Sequence, residues 1–212
     1  MCIRDSIIIA GSAVLDKALS VFAMNNELSG FEFLTGIPGT IGGGIKMNAG
    51  CFGKEFKDIL LSVQAIDKKG NVLTIAKKDI NFEYRESGLS DDLIFLSASF
   101  RGKKDNLNNI KLEMNRIKAE KEKNQPSKIK TSGSTFKNPV SQTQKKVWEL
   151  IKESVPLDKK FGDASISKKH CNFFVNEGNA TFDDMTKLIN FVSKKVLDKT
   201  GVSLEKEIKI LE

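Results

Sequence analysis

Arg85 is one of four arginines, with Arg4, Arg101 and Arg116, in a chain whose positive charge otherwise comes from lysine. A planar guanidinium can grip a carboxylate at two points, which an ammonium cannot copy. The plainer alternative is an ion pair at a strand end. A second candidate is the run Gly36-Ile37-Pro38-Gly39-Thr40-Ile41-Gly42-Gly43-Gly44-Ile45-Lys46-Met47-Asn48-Ala49-Gly50; Gly30 to Gly53 holds eight of the 16 glycines. Such a run costs backbone entropy and needs a steric reason. Either main-chain N–H groups close on phosphate oxygens, or a tight turn leads into a glycine-packed helix start. It is not a Walker loop, because Ile45-Lys46 follows Gly44 where Lys-Ser/Thr is needed, and GxGxxG spacing is absent. His170 is the single histidine, which excludes zinc sites needing two imidazoles; such a lone residue is as readily structural as ligand-binding. Ser134 by itself reads as a loop serine capping a turn. Lys121 and Lys123 read as either an anion site or an exposed helix end.

The elements that must carry these residues alternate along the chain. Residues 1 to 11 show no recognisable pattern. Ser12 to Asn25 reads as a helix with Leu15, Ala18, Leu19 and Phe22 on one face. Leu60 to Ile66 and Asn71 to Ile75 are β-rich around Lys68-Lys69-Gly70, a hairpin signal, and Leu93 to Phe100 is a further strand. A domain boundary is expected near the polar stretch Lys103 to Asn109. Beyond it an amphipathic helix carries Leu107, Ile110, Met114 and Ile117 and stops at Asn124-Gln125-Pro126. Ser127 to Pro139 reads as a loop, followed by a helix around Val147, Leu150 and Ile151 that Pro156 closes. An irregular segment runs into Ala164 to Val175. Thr181 should cap a helix carrying Met185, Leu188, Ile189, Val192 and Val196, with Gly201 at its end. Val202 to Leu211 alternates like a last strand, with Leu204, Ile208 and Ile210 on one face and Glu205, Glu207 and Lys209 on the other. The class is α+β.

With 212 residues, 40% apolar and 29% charged, the composition is that of a globular protein with a real core. The net charge of +7 comes from 34 Lys+Arg against 27 Asp+Glu, densest from Lys118 to Lys130. Without arginine–aromatic interleaving it argues against a nucleic-acid reader and suits a solvated helix face or attraction for a phosphorylated small molecule. No apolar run approaches the ~20 residues that cross a bilayer, and Ile7 to Ala10 is too short for a signal peptide. Cys2, Cys51 and Cys171, an odd set without CxxC spacing, suit a reducing compartment. A cytoplasmic, monomeric protein without nucleic-acid or membrane partners is expected, with no metal.

The glycine run resembles the flavin-binding signature of the UDP-N-acetylenolpyruvoylglucosamine reductases, the UDP-N-acetylmuramate dehydrogenases of bacterial peptidoglycan synthesis. Three further stretches match in the family's order: Tyr84-Arg85-Glu86-Ser87, then Gly133-Ser134-Thr135-Phe136-Lys137-Asn138-Pro139, then Leu204-Glu205-Lys206-Glu207-Ile208. Ser167, His170, Asn172, Phe173, Val175 and Asn176 fit as well. The resemblance, over residues 11 to 211, implies reduction of an enolpyruvyl ether to a lactyl ether, with FAD as cofactor and NADPH as hydride donor. Hydride addition beside a carboxylate builds an enolate, so the site needs fixed cationic groups and a positioned acid. By the match Ser134 is the proton donor, and Arg85 and Glu207 stabilise the enolate. Gly36, Ile37, Pro38, Gly39, Thr40, Gly42, Gly43, Asn48, Ala49 and Gly50 hold the cofactor. Tyr84, Lys121, Lys123, Lys137, Asn138 and His170 meet the UDP-sugar. The resemblance also implies a partial FAD-binding domain of the PCMH type at 11–104, formed by its second lobe, and a smaller α+β substrate domain at 105–212.

Tyr84 is the single tyrosine, so the chain resembles the variant without a tyrosine-bearing loop. Nothing in residues 1 to 11 matches the family's N-terminal flavin-binding lobe, Met1 to Ser6 does not look like family sequence, and a truncated chain is expected. Leu157 to Phe161 replaces a glycine-containing turn. The alternatives are an inactive fragment or UDP-sugar-binding module that has lost FAD, which would be colourless, and a different FAD oxidoreductase, which would need none of the three outer motifs. The enzyme reading requires Arg85, Ser134 and Glu207 to converge on a pocket floored by the Pro38–Asn48 turn.

Overall fold

The computed structural model describes residues 1–126 and 129–211, in two compact units, Met1–Lys121 and Glu122–Glu212. The first unit runs β1 (Cys2–Arg4), β2 (Ile7–Gly11), α1 (Asp16–Asn25), β3 (Leu28–Ser29), α2 (Ile41–Lys46), β4 (Gly50–Cys51), β5 (Lys54–Glu55), α3 (Phe56–Ile59), β6 (Leu60–Ile66), β7 (Val72–Ala76), β8 (Ile94–Arg101), β9 (Lys103–Lys104) and most of α4 (Leu107–Asn124). Its main sheet is antiparallel throughout, in the order β1-β2-β8-β6-β7. The expectation of no pattern before Gly11 is corrected here, because β2 lies beside β8 in the sheet and buries Ile8 and Ala10. That partner is remote in sequence, so the short run Ile7 to Ala10 gives no local sign of it. The β6–β7 hairpin turns where Asp67 Oδ1 accepts the Lys69 and Asn71 N–H groups at 2.8 and 2.9 Å, with Gly70 at φ 86°.

Helix α1 buries Asp16, Leu19, Ser20 and Ala23, a face rotated from the expected one; Leu15, at its N-cap, is exposed. The core beneath is aromatic: Phe56 meets Phe33 and Phe100 edge to face at 6.2 and 6.1 Å, a preferred ring geometry. The two units divide inside α4, between Lys121 and Glu122, rather than before it. Ile110, Met114 and Ile117 are buried on the helix's earlier turns.

The second unit contains β10 (Lys130–Ser134), α5 (Val147–Ser154), β11 (Lys160–Phe161), β12 (Ala164–Ile166), β13 (Phe173–Asn176) and α6 (Phe182–Thr200). Its antiparallel sheet has the order β10-β13-β12-β11. The loop expected from Ser127 is therefore a strand from Lys130, with Ser127 and Lys128 outside the described residues. Thr181 and Asp184 form a reciprocal capping box and Gly201 ends α6 at φ 72°. Leu188, Ile189, Val192 and Val196 from α6 pack with Leu150 and Ile151 of α5. Val202 to Leu211 forms no strand. Val202 and Leu204 are buried, but the backbone pairs at one bridge only, Lys206 with Phe136. Alternating burial was the legible part; the ladder that would make a strand is missing.

Candidate functional site

The glycine run is shaped first by the protein's own packing. A Cβ on Gly44 would lie 2.2 Å from the Phe56 ring, and one on Gly50 would lie 2.3 Å from the Lys54 carbonyl. Gly36 precedes Ile37 at the end of a short 3-10 helix, Glu32–Gly36, and its carbonyl accepts the Lys121 ammonium at 2.8 Å. Lys121, expected at a diphosphate, thus has an internal partner, while Lys123 is exposed on α4. Thr40 caps α2 without a side-chain hydrogen bond. Pro38 and Gly43 are the exposed points of the run; Gly39, Gly42 and Ala49 are half-buried.

One group against this run is unsatisfied. The Asp16 carboxyl is fully buried, and neither oxygen finds a hydrogen-bond partner among the described residues. A Cβ on Gly39 would come within 2.9 Å of its Oδ2. Burial raises the carboxyl to about 7, since desolvation penalises the charged form. The Thr35 hydroxyl is likewise buried without a partner. An orphaned carboxyl against Gly39, in a run exposed at Pro38 and Gly43, suits a cofactor rich in hydroxyl groups, so the residues present fit FAD.

Arg85 sits in a tight turn in which Glu83 and Glu86 exchange backbone hydrogen bonds at 2.9 and 3.4 Å. Its own φ is 60°, a left-handed conformation rare for a residue with a side chain. The guanidinium donates to the Gly50 carbonyl at 3.0 Å, lies 3.8 Å from Glu55 Oε1 and stacks 4.8 Å over the Tyr84 ring. Asn48 secures this arrangement from beneath. Its Nδ2 donates to Glu55 Oε2 and to the Glu83 carbonyl, each at 2.9 Å, and its Oδ1 accepts the Lys57 N–H at 3.1 Å. Fully buried and so engaged, the Asn48 side chain anchors the turn of Arg85. The Cys51 thiol donates to the Phe33 carbonyl at 3.1 Å and is pushed up to about 11 by burial, against the pull of Lys121 and Arg85. It is no nucleophile at neutral pH.

In the second unit the ladder between β10 and β13 slips between Thr131 and Ser134, where Gly133 takes φ 88°. A bulge of this kind re-aims the side chain that follows it, and that side chain is Ser134. Beyond Ser134 the chain is held from both sides. Thr135 N–H donates to the Asn172 carbonyl at 2.8 Å, and the Thr135 carbonyl accepts the Glu207 N–H at 2.9 Å. Lys137 N–H donates to the Glu205 carbonyl at 2.9 Å, and its ammonium reaches Glu205 Oε1 at 2.6 Å. Glu207 is therefore fixed one residue from Ser134 across a backbone pair, although no strand carries it. Asn138 Oδ1 accepts the Val147 N–H at 3.0 Å at the start of α5, so part of its expected binding capacity caps a helix. His170 Nδ1 accepts the Asn172 N–H at 3.3 Å and the ring lies 4.9 Å from Phe173; burial pulls its pKa down, so it is neutral at pH 7.

Ser134, Lys137, Asn138, His170 and Glu207 thus gather in the second unit, and Arg85, Tyr84 and the glycine run belong to the first. Glu55 and Asp16 were not singled out by sequence, and Asn172 was named only as part of a matched stretch. Asn172 stands two residues after His170 inside a matched stretch, and Asp16 is a lone carboxylate on an apolar helix face, so both had a signal.

A flavin-binding fold joined to a smaller α+β domain that presents a serine beside a glutamate defines an FAD-dependent oxidoreductase. The FAD binding domain model matches residues 2–76, and the model of the UDP-N-acetylenolpyruvoylglucosamine reductase C-terminal domain matches residues 125–211. The reductase of Pelagibacter ubique is 65% identical over 208 residues, which are 98% of this chain and 69% of that protein. That of Rickettsia typhi is 48% identical over 205 residues, 97% of this chain and 68% of that one. The crystal structure of the Thermus caldophilus enzyme superposes with a TM-score of 0.83 at 30% identity, over 98% of this chain and 73% of that one. The chain belongs to the UDP-N-acetylenolpyruvoylglucosamine reductase family. The FAD binding domain model takes in residues 2 to 11 as well, so the likeness begins earlier than the expected residue 11.

Proposed function

We propose that this chain reduces UDP-N-acetyl-3-O-(1-carboxyvinyl)glucosamine to UDP-N-acetylmuramate with NADPH, as a cytoplasmic monomer supplying peptidoglycan synthesis. Among the described residues no helix is long and apolar enough to cross a membrane. Bound FAD would supply the hydride chemistry between NADPH and the vinyl group. Gly36, Ile37, Pro38, Gly39, Thr40, Gly42, Gly43, Asn48, Ala49 and Gly50 would hold it. The protein's own groups manage the charge and the proton. Ser134 donates its hydroxyl proton to C2, a step open to so weak an acid only because an enolate is a strong base and the bulge aims the hydroxyl. Arg85 and Glu207 stabilise and orient the enolate. Lys137, His170 and Asn138 contact the UDP-sugar, with Tyr84, Lys121 and Lys123 as further contacts.

The observation that carries this reading is the bulge-presented Ser134 backbone-paired, through Thr135, to Glu207. Ser134→Ala should leave flavin bleaching by NADPH intact while cutting substrate reduction by at least about 100-fold, the scale of one lost acid. Equal loss in both half-reactions would overturn the proton-donor role, and a colourless protein unable to take up FAD would overturn the enzyme assignment.

A further inference from the structure

We propose that Asn172 is the positioning residue of the reductive site, holding Ser134, Glu207 and His170 in one geometry; this rests on the function proposed above. The buried Asn172 side chain pairs with both polar groups of one peptide residue. Its Oδ1 accepts the Phe136 N–H at 3.0 Å, and its Nδ2 donates to the Phe136 carbonyl at 2.8 Å. Its own carbonyl accepts the Thr135 N–H at 2.8 Å, and its own N–H reaches His170 Nδ1 at 3.3 Å. The regular ladder of β10 on β13 ends at the pair Ser134–Phe173. One residue on, the Asn172 amide replaces the missing strand, keeping Thr135 and Phe136 extended after the bulge.

Glu207 is tied in indirectly: its N–H is held by the carbonyl of Thr135, the residue before the Phe136 that the amide grips. Phe136 and Thr135 are themselves fully buried, so no water can take over if the amide is removed. An amide is required in particular: a carboxylate could accept from the Phe136 N–H but would face its carbonyl with another acceptor.

The test is Asn172→Ala, alone and with Ser134→Ala, in the full chain with FAD and NADPH. Asn172→Ala should leave the NADPH half-reaction unchanged and lower kcat for UDP-N-acetyl-3-O-(1-carboxyvinyl)glucosamine by about 100-fold, the scale for a group displaced by about 1 Å. In the Ser134→Ala background it should add less than about 2-fold, since residues that act as a unit are not additive. Amide exchange should show the Phe136, Thr135 and Glu207 N–H groups losing protection while α6 keeps its own. Should Asn172→Ala not fold, Asn172→Asp is read the same way, with about 10-fold expected. A loss that multiplies fully with Ser134→Ala, or exchange unchanged at those three amides, overturns the proposal. If Ser134→Ala itself leaves substrate reduction intact, the proton-donor role proposed for Ser134 fails, and the exchange pattern still decides whether Asn172 holds this segment.

Discussion

Asp16 offers the most direct physical test of the first unit. Its carboxyl rises from an ordinary 3.8 to about 7 because it is desolvated. A folded-state pKa above the unfolded one means that the folded chain holds the proton more tightly. From about pH 4 upward the unfolded chain releases that proton first, so stability falls as pH rises, and the loss levels off above pH 7. The full span from 3.8 to about 7 corresponds to about 4 kcal/mol. The N-terminal position in α1 favours a carboxylate by ~0.3–1 kcal/mol and takes back part of it. Between pH 4.5 and pH 8 about 3 kcal/mol should remain.

Asp16→Asn keeps the shape and cannot ionise. Relative to the parent, the variant should therefore gain about 3 kcal/mol between pH 4.5 and pH 8, whatever fixed cost its amide carries. Urea titrations followed by amide exchange in α1 and β2 would report the first unit. Fluorescence of Trp148, the single tryptophan and a residue of the second unit, serves as the control and should not respond to the substitution. Comparing the two proteins at each pH cancels every other titrating group. A difference between them that stays constant from pH 4.5 to pH 8 would refute the buried, unpartnered carboxyl and with it the fit to a hydrogen-bonding cofactor.

Gly44→Ala should cost about 1–3 kcal/mol in the first unit, an overpacking penalty, because the new Cβ would lie 2.2 Å from a Phe56 ring already fixed between Phe33 and Phe100; a melting temperature at or above the parent's would contradict it. His170 titrates below its ordinary 6.5 because it is buried, so the unfolded chain protonates first and the second unit should lose stability as pH falls through about 6.5. Trp148 fluorescence in urea should show that loss, and His170→Gln should flatten it.

The legible parts of the fold were those set by local chemistry. Thr181, Asp184 and Gly201 bound α6 as their types require, and Asp67 and Gly70 make a hairpin that needs no distant partner. What could not be read was set at long range. Strand β2 is a strand because β8 lies beside it, and β1 is exposed along its whole length. Val202 to Leu211 alternates because Val202 and Leu204 pack on the second core, a pattern that an irregular segment satisfies as well as a strand. At the candidate site the motif residues stood out by type, but the groups holding them did not. Glu55 looks like any surface carboxylate until it is found 3.8 Å from Arg85.

The two units solve the same problem in the same way. Arg85 and Ser134 both lie where regular pairing fails, one in a left-handed turn and the other after a bulge. In each unit a buried asparagine takes over. Asn48 bonds the Glu83 carbonyl and the Lys57 N–H, and Asn172 bonds both polar groups of Phe136. An amide is a neutral side chain that carries a donor and an acceptor as a peptide does, so it can stand in for a neighbouring strand where regular pairing stops. A loop built this way can hold a side chain outside a ladder yet keep its backbone satisfied. The cost is concentration of the geometry in one residue, so substitutions at Asn48 and Asn172 should damage chemistry far more than those at the exposed ion pairs nearby, such as Lys145 with Glu153.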